Sequence, residues 1–217
     1  MPLILRPATE KDAFRLGCIG RDAFRHHVSR DLFPPHLRSK SESGDPDFDE
    51  AEWRGMRTVR RMKEGKPAYV VVDVSEGGIP DEEGLVVGFC QWELPSEGQE
   101  KKQNFEDDAN ADRLPPILDS QAYHAMGEVI DRESHKILGS EGYSKMWFDP
   151  QHQRRGVGRM LIQHGLELAA KDGRDAFLIG TPEGRCLYQK LGFEVIGEPF
   201  YLGSTLHYPM LWKAPKV

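Results

Sequence analysis

The C-terminal third of the chain alternates short β-rich segments with helical ones, and this alternation restricts the possible folds more than any other feature. Apolar residues at helical spacing indicate helices, and short apolar runs bounded by glycine indicate strands. A strand–helix–strand order predicts a mixed sheet covered by helices. The predicted strands are 143–148, 176–180, 193–197 and 205–212, and the predicted helices are 156–172, ended by Gly173, and 182–191.

The N-terminal half has its own helix-start signals. Thr9 and Asp12 have the spacing of a capping box, and Asp47 and Glu50 repeat that spacing ahead of a second apolar-periodic segment. We therefore predict a helix after each pair. The remaining predicted elements are a strand at 3–6, an antiparallel hairpin of 67–74 and 84–92, and a helix from about 120 to 138.

The elements combine into a single domain of α/β (α+β) class over residues 1–217. Residues 95–119 are polar and contain three prolines, so we predict a loop insertion there, at about 95–119.

Composition and charge exclude several classes of function. The 217 residues contain 35 Asp and Glu against 29 Lys and Arg, a net charge of −6, which argues against binding to nucleic acid or an anionic membrane. No segment approaches the roughly eighteen apolar residues of a membrane span. The odd number of cysteines without close spacing indicates reduced thiols and a cytoplasmic protein, and the scattered histidines imply no metal: the cysteines are Cys18, Cys90 and Cys186.

A glycine turn at 153–158 joins a predicted strand to a predicted helix. Gly156 and Gly158 let the backbone approach a ligand, and the free amides of the first helical turn form an anion site. Arg154, Arg155 and Arg159 add positive charge. The turn could also be an ordinary basic surface turn or belong to a nucleotide-dependent enzyme. A dinucleotide fingerprint fails because residue 161 is leucine, and a P-loop fails because no Lys-Ser/Thr pair follows.

Two motifs of this region resemble the GNAT superfamily of N-acetyltransferases. The first is Gln153-Arg154-Arg155-Gly156-Val157-Gly158, preceded by Met146-Trp147-Phe148-Asp149-Pro150. The second, 181–193, ends in Tyr-x-Lys-x-Gly-Phe. The resemblance is close over 143–197, loose over 3–25 and 67–92, and absent over 26–66 and 95–140. It implies a mostly antiparallel mixed sheet with helices on both faces and a splayed parallel strand pair.

The resemblance also implies acetyl-CoA as co-substrate and a set of residues that bind it. The backbones of Met146, Trp147 and Phe148 would bond the pantetheine amides. Thr181 stands where many members have Asn, so its cofactor contact departs from the family pattern, and it is equally an ordinary helix N-cap. The turn residues that would hold the pyrophosphate are Gln153, Arg154, Arg155, Gly156, Val157, Gly158 and Arg159.

Tyr188 is the catalytic residue that the resemblance implies, as general acid to the departing thiolate, although a packed core aromatic explains it too. The base that deprotonates the amine is left open between Glu93, Glu128, Glu141, His207 and a water chain.

The acceptor is expected to be a small-molecule or peptide amine, with no nucleic acid or membrane partner and a possible homodimer. Residues 41–52 carry six acids and no Lys or Arg, and 93–113 carry seven acids and three basic residues. These segments could form an acidic rim that attracts a cationic amine, or simply be solvated loops. The alternative function is a catalytically silent acyl-CoA-binding or regulatory module.

Overall fold

The computed structural model describes residues 3–74, 84–93, 113–138, 144–148 and 156–215. Within these ranges the chain forms a central sheet whose strands follow the order β1-β2-β3-β4-β5-β8-β6, with β7 also paired to β8. The strands are β1 (Leu3–Pro7), β2 (Ala68–Asp73), β3 (Leu85–Glu93), β4 (Ser144–Phe148), β5 (Ala176–Gly180), β6 (Glu194–Val195), β7 (Phe200–Leu202) and β8 (Thr205–Trp212).

One strand pair of the sheet is parallel and the other described pairs are antiparallel. β4 and β5 run parallel and stay in register from Ser144–Ala176 to Met146–Leu178, where their pairing ends. β4 nevertheless continues to Phe148 along β3, and β5 continues to Gly180 along β8. The two strands therefore diverge at their carboxyl ends and leave a gap in the sheet.

Helices cover both faces of this sheet. Successive residues of a strand point to opposite faces. In β2, Val71 packs in one apolar cluster with Val157, whereas Val70 and Val72 pack in another with Leu16. The helices are α1 (Ala13–Phe24), α2 (Val28–Leu32), α3 (Pro46–Lys63), α4 (Ser120–Leu138), α5 (Val157–Lys171) and α6 (Pro182–Lys190), with 3₁₀ helices at Glu10–Asp12 and Pro35–Lys40.

The predicted fold class, with its mixed sheet, splayed parallel pair and two helical layers, is confirmed. The Thr9–Asp12 capping pair is present, since an Asp12 carboxylate oxygen accepts the Thr9 backbone N–H at 2.7 Å. None of the described helices is long and apolar enough to cross a membrane. The single-domain organisation stays a prediction.

The predicted start of the second helix is wrong by two residues. Asp45 is the N-cap, because its carboxylate accepts the backbone N–H groups of Asp47 and Phe48, and Pro46 occupies the first helical position. Glu50, assigned from sequence to a capping box, instead accepts from Arg54 Nε at 2.9 Å.

Sequence patterns also missed α2 and β7, which are too short to show a period. Of the predicted insertion, 95–112 lies outside the described residues. Residues 113–119 are irregular as predicted, yet Ile117 and Leu118 are buried against α4 and α2.

Glycines set the distance between α1 and α3. A Cβ on Gly17 would lie 1.7 Å from the Ala51 carbonyl oxygen, and a Cβ on Gly55 would lie 2.2 Å from that of Ala13. The obstructing atoms are backbone, so a side-chain rotation cannot relieve the contact. Only glycine at both positions allows the two helices to pack this closely.

We expect Gly17→Ala and Gly55→Ala each to lower the free energy of unfolding by about 1–3 kcal/mol, because the added methyl group forces the helices apart. The sign of the change in stability distinguishes close packing from helix propensity, since alanine in an unobstructed helix is favoured over glycine by about 1 kcal/mol. Chemical denaturation measures the change. Met56→Ala, at a position of α3 that is 66% exposed, is the control and should change stability by no more than about 0.5 kcal/mol. Stabilisation by either glycine substitution would contradict the packing.

Candidate active site

The turn before α5 has a backbone conformation that favours glycine. Gly156 is left-handed, with φ 81° and ψ 0°, and it is the N-cap of α5. A Cβ there would meet no atom within 4 Å, so conformation rather than space requires glycine. Val157 is buried and Arg159 is exposed, so only the backbone of Val157 can serve a ligand. Gln153, Arg154 and Arg155 lie outside the described residues.

Two close contacts hold α5 against β3. A Cβ on Gly88 would lie 2.5 Å from Val157 Cγ1, and a Cβ on Gly165 would lie 1.5 Å from Trp92 Cζ2. Phe148, the last residue of β4, pairs with Cys90 two residues from Gly88. The N-terminus of α5 is therefore placed beside the carboxyl end of β4, where β4 and β5 diverge.

This geometry fits acetyl-CoA, the co-substrate that the family resemblance implies. The first-turn amides of α5 have no intrahelical acceptors and attract anions. Beyond Met146 and Leu178 the edges of β4 and β5 face a gap rather than each other, and such an edge offers N–H and C=O groups to an extended ligand. That stretch of β4 begins at Met146 and contains Trp147 and Phe148.

A cavity of about 250 Å³ adjoins the gap. Its walls come from both sides of the sheet: Leu178 and Tyr188 belong to the cluster beneath α5, whereas Ile179 packs with the cluster around α4. α1, α2 and α3 provide the opposite wall. The cavity thus crosses the sheet at the place where the parallel strands part.

Tyr188 lies on the cavity wall and is held in one place by its surroundings. It is 6% exposed, and its ring meets that of Phe193 edge-on, with centroids 6.0 Å apart. A Cβ on Gly184 would lie 2.7 Å from Tyr188 Cε2, and one on Gly180 would lie 3.1 Å from the same atom. Two glycines therefore make room for the phenol at the start of α6. Tyr188 is both a packed aromatic and a lining residue.

Thr181 has the structural role expected of an N-cap and also lines the cavity. Its hydroxyl accepts the Gly184 backbone N–H at 3.3 Å, and Pro182 occupies the first helical position. Since a hydroxyl oxygen has a second lone pair and a proton to donate, this hydrogen bond leaves Thr181 able to bind a ligand.

The sequence left four side chains open as the catalytic base. Within the described part of the chain, His207 is the one of them that lines the cavity. It is buried, and its Nδ1 lies 2.9 Å from the Thr205 carbonyl oxygen. A carbonyl only accepts, so Nδ1 carries the proton and Nε2 has the lone pair. Burial lowers the pKa of His207 below its ordinary 6.5, against the opposing effect of the Thr205 hydrogen bond. The imidazole is therefore neutral at pH 7.

The other base candidates are placed elsewhere. Glu93 faces Arg61, with Arg61 Nη2 and Glu93 Oε2 3.3 Å apart. Glu128 is exposed on α4, and neither residue lines the cavity. Glu141 lies outside the described residues.

Three arginines of the cavity wall were missed in the sequence. Arg54, Arg57 and Arg61 all come from α3. Their spacing of three and four residues is a helical-face signal, but the sequence does not show that this face is turned inward.

No acid of the 41–52 segment lines the cavity. Asp47 instead binds Arg38 at 2.6 Å, and Asp49 accepts from the Ser41 hydroxyl at 2.7 Å. These acids fix the loop before α3 and the start of that helix.

The Acetyltransferase (GNAT) domain family matches residues 120–195, from the start of α4 to the end of β6. An acetyltransferase of Stachybotrys chartarum is 29% identical over 142 residues, which are 64% of this chain and 60% of that protein. The matched part therefore spans less than two thirds of that relative.

Solved structures share the fold over almost the whole chain. The histone acetyltransferase HPA2 and related acetyltransferase of Corynebacterium glutamicum superposes with a TM-score of 0.59 at 16% identity, covering 100% of this chain and 98% of that one. The structure of yncA from Salmonella typhimurium with its cofactor acetyl-CoA gives a TM-score of 0.53 at 15% identity, covering 100% and 96%. At these identities the likeness shows a shared fold, and the family model adds a match from α4 to β6.

Replacement of Gly156 tests the turn. We expect Gly156→Ala to lower the free energy of unfolding by about 1–2 kcal/mol, because a left-handed backbone is unfavourable for a residue with a Cβ even where space is free. Gly156→Asn should cost less, since asparagine tolerates this conformation. Thermal denaturation of both variants gives the comparison. Equal losses in the two would show that contacts of the added side chain, rather than φ, decide the cost.

Proposed function

We propose that this protein transfers the acetyl group of acetyl-CoA to a primary amine by direct attack of the amine on the thioester. The observation that carries the proposal is the cavity, which reaches the gap between β4 and β5 and has Tyr188 and His207 in its wall. An acyl carrier in the gap and an amine in the cavity would meet beside these two side chains.

In this proposal, the carrier is bound mainly by backbone. Met146, Trp147 and Phe148 supply N–H and C=O groups to the pantetheine arm along the open edge of β4. The pyrophosphate lies at the N-terminus of α5, held by amides and by positive charge from the turn 153–159. Thr181 adds a hydroxyl near the acyl end. Acetyl-CoA supplies the activated acyl group as a thioester.

His207 and Tyr188 divide the proton transfers. His207 Nε2 accepts a proton from the incoming ammonium group, since only a neutral amine can attack. The amine nitrogen then bonds to the thioester carbonyl carbon as the carbon–sulfur bond breaks. Tyr188 gives its hydroxyl proton to the sulfur and regains one from the nitrogen.

The cysteines support direct attack over an acyl-enzyme. None of Cys18, Cys90 and Cys186 is among the described residues that line the cavity. Burial raises the pKa of Cys90 to about 12, so it is no nucleophile at neutral pH. All three thiols are free, which supports the proposed cytoplasmic location and an acceptor found there, a small-molecule or peptide amine.

Tyr188→Phe tests the general acid. We expect kcat to fall by about 10²-fold, because the sulfur loses its proton donor, while the Kd for acetyl-CoA changes little, because phenylalanine keeps the ring packing against Phe193. Release of free CoA thiol with an amine panel measures kcat, and the acetyl-CoA-induced rise in Tm measures binding. Unchanged turnover would remove Tyr188 from the mechanism. Acetyl-CoA binding without thiol release, for any amine, would instead favour a silent acyl-CoA-binding module.

His207→Gln tests the base through pH. Because the pKa of His207 lies below 6.5, wild-type kcat/KM should stay level as pH falls past 6.5 and decline only in more acidic solution, where the imidazole is protonated. At pH 7 the kcat/KM of the variant should be about 10²-fold lower than that of the wild type, and it should not show the decline in acidic solution. Using one amine for both proteins cancels the titration of the amine.

Stability gives a second readout of the same group. Because the pKa of His207 is lower in the folded state, the unfolded chain binds the proton more tightly. The contribution of neutral His207 to the free energy of unfolding is therefore fully present above pH 6.5 and is lost as the pH falls towards the pKa of the folded state. His207→Gln should lack this loss. His135→Gln, on an exposed part of α4, is the matched control and should keep both pH dependences of the wild type. A His207→Gln profile equal to the wild type would exclude the role.

A further inference from the structure

Part of the cavity wall is an array of guanidinium groups contributed by α3. Arg54, Arg57 and Arg61 follow one another at spacings of three and four residues, which puts them on one face of α3. All three line the cavity. The wall is thus built to present positive charge, although the chain as a whole has a net charge of −6.

Two of these arginines are braced from behind by acids that do not line the cavity. Arg54 Nε donates to Glu50 Oε1 at 2.9 Å, and Arg54 Nη2 donates to Ser29 Oγ at 2.7 Å. Arg61 is 3% exposed and its Nη2 lies 3.3 Å from Glu93 Oε2. Such braces hold the guanidinium groups in fixed positions, as a preformed anion site requires.

Aromatic rings fix the central part of the wall. The Arg57 guanidinium carbon lies 6.0 Å from the ring centroids of both Trp53 and Tyr123. The Trp53 indole N–H is buried, and among the described residues it has no hydrogen-bond acceptor. Trp53 also lines the cavity. A carboxylate beside Arg57 would accept from this N–H and from the guanidinium fork together.

Acidic residues are scarce on the cavity surface. Among the described lining residues, Glu183 is the one acid. Its side chain is 52% exposed, so it lies at the rim rather than in the buried wall, and its Oε1 is 3.9 Å from His27 Nε2. Glu50 and Glu93 offset part of the charge of Arg54 and Arg61 from behind the wall. On the described cavity surface itself three guanidinium groups stand against one acid, which favours an anion over a second cation.

We propose that the acetyl acceptor is an amino acid-sized amine that carries a carboxylate, and that Arg57 is the residue that binds this carboxylate. The inference rests on the proposed function, which makes this cavity the acceptor site. A volume of about 250 Å³ suits an acceptor smaller than a drug-sized ligand, for which pockets usually start at about 300 Å³. The carboxylate lies at the α3 wall, so the amine points to His207 and Tyr188.

The first test compares amines that differ only in having a carboxylate or a carboxamide. A panel of α- and ω-amino carboxylates, each paired with its carboxamide, is titrated by calorimetry into the protein saturated with CoA. We expect the best-binding carboxylate to bind about 10- to 100-fold more tightly than its amide, as charge-assisted hydrogen bonds allow. Equal or weaker binding of every carboxylate would overturn the inference. Binding needs no turnover, so this result is decisive even in an inactive protein.

The second test assigns the preference to Arg57. Arg57→Gln should bring the carboxylate and amide affinities to within about threefold, with amide binding unchanged, whereas Arg57→Lys should keep part of the preference because it keeps the charge. Arg60→Gln removes an arginine of the same helix that does not line this cavity, and should behave as wild type. A preference that survives in Arg57→Gln would contradict the assignment. If that variant does not fold, Arg57→Lys decides, because a carboxylate preference as large as that of the wild type in Arg57→Lys would contradict the assignment.

The two proposals fail in different ways. Thiol release from acetyl-CoA with amides as good as carboxylates would contradict the acceptor class and leave acetyl transfer intact. Carboxylate-selective binding that produces no thiol release with any amine would contradict acetyl transfer and leave the anion site intact.

Discussion

The divergence of β4 and β5 is the constraint on which the candidate site depends. A parallel pair that stayed in register to the end would close the sheet, and its edges would satisfy each other. Here the pairing ends at Met146 and Leu178, while β3 and β8 continue to hold the outer edges of the two strands. The gap is therefore stabilised from its flanks and needs no ligand to keep it open. It also connects the two faces of the sheet, which a continuous sheet would separate.

Close contacts at four glycines position the helices around the gap. Gly88 and Gly165 bring α5 onto β3, so that the helix start lies beside the end of β4. Gly17 and Gly55 bring α1 onto α3 and so set the spacing of two helices that line the cavity. The space a Cβ would need is filled by backbone atoms at Gly17 and Gly55, by a valine methyl group at Gly88 and by an indole ring at Gly165. The site geometry is thus decided by backbone approach, which side-chain chemistry alone would not reveal.

Local signals explain what the sequence could predict. The predicted helix starts near Gly156 and at Thr181-Pro182 depend on signals that lie within a few residues, and the structure starts α5 and α6 there. Asp45 was missed because three acids within five residues compete as caps, and only the hydrogen bonds to Asp47 and Phe48 decide between them. The arginine wall was missed for another reason. Arg57 and Tyr188 are 131 residues apart, and nothing local to either states that they share a cavity.

The distribution of charge shows why net charge predicts a partner poorly. The acids of 41–52 suggest a surface that attracts cations, yet Asp45, Asp47 and Asp49 are engaged by helix-end amides, Arg38 and the hydroxyl of Ser41. Asp45 caps the start of α3, and Asp47 and Asp49 bind the segment before it, so these charges are used within the fold. Arg54, Arg57 and Arg61, farther along the same helix, form the basic part of the cavity wall. Since fields inside a cavity depend on the charges that line it and on the low dielectric around them, that wall rather than the total charge of the chain decides what the cavity attracts.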